Sequence, residues 1–359
     1  MDFGLDDSQR EVVRLAREVI EPDADPPALW KALGRAGLLT LAVPEELGGA
    51  GLGVLAGTLV LTEVGRRAAP VAALATVALG VLPVARAGTP EQRRSLLGAV
   101  VEQDAVLSAA LHEPSTPLTR APRTRAERDG AGWVLTGTKI GVPDAAAAHR
   151  ILVPAELVGS GVGVLVVDPG SAGVEVRPTP SSGGRPECTV VLRGARSDDL
   201  LGDDTTGRAL AELHRCAVAG ATAVGDGVLA GALELTAAHI GSRVQFGRPL
   251  AAFQAVAQQA ADVYIAARTL HLAARAAAWR LDGAPAFDPA ADTDLDVAAH
   301  WLAEHAPPAL HTCQHLHGGL GVDAGYPLHR YFGLGRDLAR AVGGVEHTLD
   351  RLAARAAAP

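Results

Sequence analysis

Ser242-Arg243-Val244-Gln245-Phe246-Gly247-Arg248-Pro249-Leu250-Ala251-Ala252-Phe253-Gln254 joins two long alanine-rich segments. Apolar residues recur at helical spacing on both sides, so Gly247 and Pro249 read as the turn that ends one helix and starts the next. Pro249 suits the first turn of the second helix, which places Gln254 about one turn further in. Arg243 and Gln254 are then near enough to address one bound group, and an arginine at such a corner is open to an anionic ligand. Spacing alone equally allows a plain helical corner with a surface arginine.

With 359 residues, 48 % of them apolar, the chain can bury a large core and is long enough for two or three domains. A formal charge of -8 argues against a general nucleic-acid surface, which needs clustered Lys and Arg. Cys188, Cys216 and Cys313 are odd in number, far apart and without paired spacing, which predicts free buried thiols in a reducing compartment and no common zinc pattern. The N-terminus, Met1 to Asp7, lacks the basic and apolar regions of a secretory signal, so the cytoplasm is the expected location and no metal or membrane span is expected. The apolar run Val71 to Ala85 contains Pro83 and falls short of the roughly 18 residues of a spanning helix; it reads as a buried core helix. Only 3 % of residues are aromatic, so the core is built from Ala, Leu and Val with helices in close approach.

Ser8-Gln9-Arg10-Glu11 has capping-box spacing ahead of Val12, Leu15, Ala16 and Val19, which predicts an opening amphipathic helix. A second helix is expected over Leu29 to Gly37 and a third over Leu59 to Arg66. The glycines of Val43 to Gly51 lack the full G-x-G-x-x-G pattern and the strand that precedes it, so they do not make a dinucleotide fold. Gly88 to Arg93 starts a short helix. From about Asp104 the pattern changes to short runs bounded by Gly and Pro, at Val134–Thr136, Ile151–Val153, Gly163–Val167, Val174–Val176 and Thr189–Leu192, which read as strands. Helical spacing returns from Arg208 to Leu281 and from Asp292 onward, with a loop over Asp282 to Ala291. The proline pair Pro307-Pro308 is expected to break or kink the later helix. The expected organisation is mostly α with a small β domain: an N-terminal helical domain over 1–103, a β-barrel or sheet domain over 104–202 and a helical bundle over 203–359.

The wording Arg-x-Gln-Phe-Gly-x-Pro-(x)3-Phe-Gln, Arg243 to Gln254, resembles the helical hairpin of the acyl-CoA dehydrogenase family, and so does the Val-Pro-Glu-x-x-Gly-Gly-x-Gly loop at Val43. The resemblance implies a three-part fold ending in a four-helix bundle, an oxidoreductase acting on an acyl-CoA substrate, and FAD-dependent tetramers. It implies that Arg243, Gln245, Phe246 and Gln254 reach the pyrophosphate and adenosine half of a flavin held mainly by a neighbouring subunit. In the family's C-terminal Gln-x-x-Gly-Gly, His315 stands at the glutamine position, with Gln314 beside it, while Gly318 and Gly319 remain.

Removing two hydrogens from a thioester takes a base for the α-proton and a hydride acceptor aligned against it. The resemblance puts the family's glutamate at one of two places, which fall here at Ala217 and Val342, and neither is an acid. Nearby stand Glu212, more than a turn from Ala217, and Glu346, after Gly343-Gly344; each needs a local shift to reach a substrate. His112, His214 and His347 are bases by chemistry alone. On the ring side, His112 replaces the hydroxyl residue before Glu113-Pro114, and Gly141 and Pro143 stand where the family has an aromatic residue and a Thr or Ser. Pro143 has no N–H to offer.

Groups facing the chain's own flavin ring and substrate are thus degraded, while those reaching a neighbour's adenosine half are kept. Gly344-Val345-Glu346-His347 resembles the C-terminal signature of partner subunits in bacterial steroid-degrading α2β2 heterotetramers. The resemblance therefore implies a base-lacking subunit that completes the site of a homologous catalytic chain, with electron-transfer flavoprotein or a similar acceptor. Two alternatives stay open: a homotetrameric enzyme with Glu346 as an unorthodox base, and a flavin-free scaffold.

Overall fold

A computed structural model describes residues 4–21 and 24–357. The first helix, Asp7–Val19, is capped by Asp6 rather than Ser8: the Asp6 carboxylate accepts from the Gln9 N–H at 2.8 Å, and the Gln9 side chain accepts from the Asp6 N–H at 3.2 Å. The capping box therefore lies two residues earlier than the Ser8–Glu11 spacing predicts, because Gln9 closes it as well as a glutamate would. Helices Pro26–Arg35, Val54–Arg66 and Leu74–Ala87 follow, and a last turn-rich helical stretch over 90–103 opens on a Thr89–Gln92 capping box. Leu74–Ala87 is the buried apolar run; its first half, Leu74–Val81, is a π-helix.

Seven strands make one mixed sheet: β1 (Val106–Ala109), β2 (Arg125–Asp129), β3 (Gly132–Pro143), β4 (Ala148–Leu157), β5 (Gly161–Val167), β6 (Val174–Thr179) and β7 (Glu187–Ser197), in the order β1-β4-β2-β3-β7-β6 with β5 on β4. All five runs read as strands in the sequence lie in it, and β1 and β2 are additions. Inward alternation of Trp133, Leu135, Ile151, Val153, Leu165, Val190 and Leu192 builds its own core. A buried ion pair crosses that core, Lys139 Nζ to Glu113 Oε1 at 2.7 Å, with both residues at most 2 % exposed.

The bundle consists of Arg208–Ser242, Gln254–Gly283, Asp292–His317 and Leu328–Ala341, followed by Gly344–Ala356. By length and composition Arg208–Ser242 is apolar enough to cross a membrane, but 89 % of its apolar window is buried in the fold, which makes it a core helix. The N-terminal helices share one continuous apolar core with the bundle. Small residues set their approach: a Cβ on Gly227 would lie 1.9 Å from the Thr62 carbonyl oxygen. All three cysteines are free and buried.

Three local expectations are corrected. Asp292–His317 runs unbroken through Pro307-Pro308, since Leu302, Ala306, Leu310 and Cys313 bury the helix face around the pair and hold it against the lost N–H donors. The 282–291 segment is not all loop, because the second bundle helix extends to Gly283 and Pro289–Ala291 forms a 3-10 turn. Gly247 and Pro249 do not join helix to helix directly. A two-stranded hairpin intervenes, β8 (Val244–Gln245) on β9 (Arg248–Pro249), so Pro249 is a strand residue and Gln254 opens its helix instead of lying a turn inside it.

Candidate active and cofactor sites

The hairpin is an exposed edge. Phe246 and Gly247 have φ of 51° and 79°, two left-handed residues in succession as a tight hairpin turn requires, and the arrangement leaves Phe246 91 % exposed. A phenylalanine held left-handed and in water costs stability, which is the mark of a side chain kept for contact. Phe253 meets Phe246 edge-on at 6.2 Å, and the Arg248 guanidinium lies 4.1 Å over the Phe253 ring. Arg243 caps the first bundle helix through its backbone, its N–H donating to the His239 carbonyl and its carbonyl accepting from Leu250.

Beside the hairpin an open cleft brings Arg243 together with His315, Gly318 and Gly319. Sequence reading missed its other polar members, His239, Gln259 and His317; His239 and His317 stack at 4.4 Å. Gln245 and Phe246, on the exposed hairpin, and Gln254, exposed at the start of its helix, stand outside this cleft. Gly318 has φ of 58°, and a side chain there or at Gly319 would project into open space, so the backbone itself faces the cleft.

A second cleft, about 860 Å3 including its open mouth, separates the sheet from the bundle. Its walls are apolar, with Leu74, Leu79, Leu111, Ala221, Leu334 and Leu338. Ala217 lines it, and Val342, 1 % exposed, directly follows the lining residue Ala341. His112, Gly141 and Pro143 line the sheet side. Pro143 has its carbonyl taken by the Ser108 hydroxyl at 2.5 Å. Burial, with Arg340 and His347 nearby, pulls the His112 imidazole down to about 4.

The acyl-CoA dehydrogenase N-terminal domain model matches residues 7–104, and the C-terminal domain model matches 211–357. The chain belongs to the acyl-CoA dehydrogenase family. It is 42 % identical over 357 residues, 99 % of each chain, to acyl-CoA dehydrogenase FadE28 of Mycobacterium tuberculosis. Among solved structures it is similar to the ChsE4-ChsE5 complex of Mycobacterium tuberculosis, with a TM-score of 0.90 at 34 % identity and 100 % of both chains covered. It is also similar to the Tcur3481-Tcur3483 steroid ACAD, with a TM-score of 0.87 at 35 % identity over 98 % of this chain and 99 % of the other.

As an acyl-CoA dehydrogenase, the chain is an oxidoreductase acting on CH–CH groups with FAD as cofactor. The hairpin edge has the donor set for a dinucleotide: a guanidinium, amides, imidazoles, bare glycine backbone and an exposed ring. In the second cleft the Arg340 guanidinium stands over Gly141, its Nη1 2.6 Å from where a Cβ at that position would lie.

No carboxylate expected from the sequence reaches the second cleft. Glu346 is exposed on the first turn of Gly344–Ala356. Glu212 is fully buried and spent, its Oε1 on Arg86 and its Oε2 accepting from Arg215 and the Phe287 N–H, each at 3.0 Å. His214 is buried and held neutral by burial and by Arg351; His347 is lowered by the same two causes. Three lining carboxylates escaped sequence reading. Glu187 pairs with Arg340 at 2.5 Å, and Asp337 accepts from the Ser182 and Gly183 N–H groups at 2.9 and 2.7 Å. Asp144 is pushed up to about 6 by burial, against the pull of Arg185.

Proposed function

We propose that this chain is the base-lacking subunit of a heteromeric, FAD-dependent acyl-CoA dehydrogenase, and that its hairpin edge completes the cofactor site of a homologous catalytic partner in an α2β2 assembly. The observation that carries this reading is the asymmetry of the two clefts. The edge presents its cation, ring and glycine backbone outward to a neighbour, whereas the chain's own cleft has Ala217 and Val342 at the base positions and a guanidinium over Gly141. Similarity to the ChsE4-ChsE5 complex and to a steroid ACAD supports both a second chain and a bulky thioester, such as a steroid side chain.

When bound, FAD supplies the acceptor for the β-hydride while a base removes the α-proton. In this reading the partner provides that base. Arg243 gives charge-assisted hydrogen bonds to the pyrophosphate, Gln245 and Gln254 offer amides, Phe246 covers an apolar ring face, and His315 with Gly318 and Gly319 lines the approach. Electrons leave to electron-transfer flavoprotein or a similar acceptor, and the complex works in the cytoplasm.

One observation favours a second reading, in which the chain works alone: Asp144 is a cleft carboxylate with the poise of a general base. The two are separated by steady-state turnover of the co-purified complex. Under the subunit reading, Glu346→Gln and Asp144→Asn in this chain each leave kcat within about twofold, since a general base contributes about 100-fold or more. A loss of that size for Asp144→Asn, or acyl-CoA oxidation by the chain alone, would put the base in this chain.

A further inference from the structure

The chain's own cleft is not an empty relic: one ion pair crosses it, and a second carboxylate on the bundle side flanks the same guanidinium. Arg340 stands on the last turn of Leu328–Ala341, in the bundle. Its Nη2 reaches Glu187 Oε1, on the first residue of β7, at 2.5 Å, and lies 3.7 Å from Asp337 Oδ1. Asp337 is itself fixed to the loop before β7 by the Ser182 and Gly183 N–H groups. Sheet and bundle are therefore tied together at the cleft by one guanidinium between two carboxylates.

Gly141 makes the room for it. A Cβ at that position would stand 2.6 Å from Arg340 Nη1 and 3.3 Å from Glu187 Oε1, and Gly141 has φ of 60°, so a side chain at 141 meets both a left-handed backbone and the guanidinium. Glycine on the sheet and arginine on the bundle face each other here, and Pro143 has no backbone N–H to offer a planar ring.

We infer that Arg340, held by Glu187 and Asp337, is the latch that shuts this chain's own cleft to a planar heterocycle. The inference deepens the proposed subunit role and rests on it: a latched cleft leaves a pair of chains with one ring site instead of two. Arg340 acts by occupying space and by bridging two parts of the fold, and takes no part in the reaction.

The test titrates the full-length purified chain with lumiflavin, the ring without ribityl phosphate or adenosine, and reads saturable quenching of its fluorescence. The native chain shows no saturable binding. Arg340→Ala binds at least about tenfold tighter, and Glu187→Ala, which frees the guanidinium without altering the bundle helix, gives a smaller gain. Adding Ala217→Trp to Arg340→Ala fills the cleft and abolishes the gain, which places the probe there and not at the exposed edge. Thermal melts of each variant establish that it is folded. Native binding as tight as that of Arg340→Ala, or no gain in whichever of the two single variants is folded, overturns the latch. If the chain purifies without flavin and the variants still gain nothing, the latch alone fails; if it purifies with about one flavin per chain, the subunit reading fails first.

Discussion

Arg243→Ala is expected to strip flavin from the complex of this chain with its partner, weakening cofactor affinity about 10- to 100-fold, the worth of one or two hydrogen bonds to a charged group. Among the described residues the Arg243 guanidinium makes no ion pair or hydrogen bond within the chain, so its charge is uncommitted and exposed. Its structural duties belong to its backbone, through the His239 and Leu250 hydrogen bonds, and those survive the substitution. The expected signature is therefore specific: visible absorbance per mole of complex falls, while the melting curve of the isolated chain is unchanged. Arg243→Lys keeps the charge but not the fork, and recovers only part of the loss. Unchanged flavin content in Arg243→Ala would remove the hairpin from the cofactor site.

The second large effect is on stability. Lys139→Met leaves the Glu113 carboxylate buried without its cation, at a cost of about 3–5 kcal/mol. Burial alone would raise the Glu113 carboxyl, but the Lys139 ammonium, the Thr124 hydroxyl and the Arg123 N–H hold it down to about 2. Because the folded value lies below the unfolded one of 4.5, this carboxylate's contribution is full above about pH 4.5 and is lost as pH falls toward 2. Urea unfolding at pH 7 measures the first effect, and the same unfolding repeated from pH 7 downward measures the second, with the gap between the native and Lys139→Met chains narrowing as the pH falls toward 2. Lys139→Met combined with Glu113→Leu removes both charges and regains most of the stability. A destabilisation below about 1 kcal/mol for Lys139→Met alone, the range of a surface pair, would mean that water reaches the ion pair.

The larger elements were legible because their patterns are strong. Long helical periodicity over 208–281, and β-branched runs such as Ile151–Val153 and Gly163–Val167, survive any local adjustment. The strands that escaped lack such patterns. Val106–Ala109 has four residues, and Arg-Ala-Glu-Arg-Asp at 125–129 buries only Ala126, so hydrogen bonding to neighbours makes it a strand while its composition reads as loop. Propensity also lost to packing at Pro307-Pro308, where the buried face outweighs two missing donors.

The site divides along the same line. Ala217, reached by counting along one helix, lines the second cleft, and Arg243, His315, Gly318 and Gly319, singled out by wording, come together in space. Asp144, Glu187, Asp337 and Arg340 come from separate segments and carry no local pattern. Their one trace in the sequence was Gly141 standing where a ring was expected, and its meaning needs the arginine that fills the gap. The left-handed Phe246 was equally hidden, because Gly247 signals a turn but not which neighbour shares its strain.

The most direct measurement is the ratio of flavin to protein, from visible absorbance, for the chain purified alone and for the same chain co-purified with a homologous catalytic partner. No flavin on the isolated chain and about one per pair of chains in the complex is the expected result, since the cofactor binds only where both contribute. About one flavin per chain in the isolated protein would contradict it and return the search for a base to Asp144.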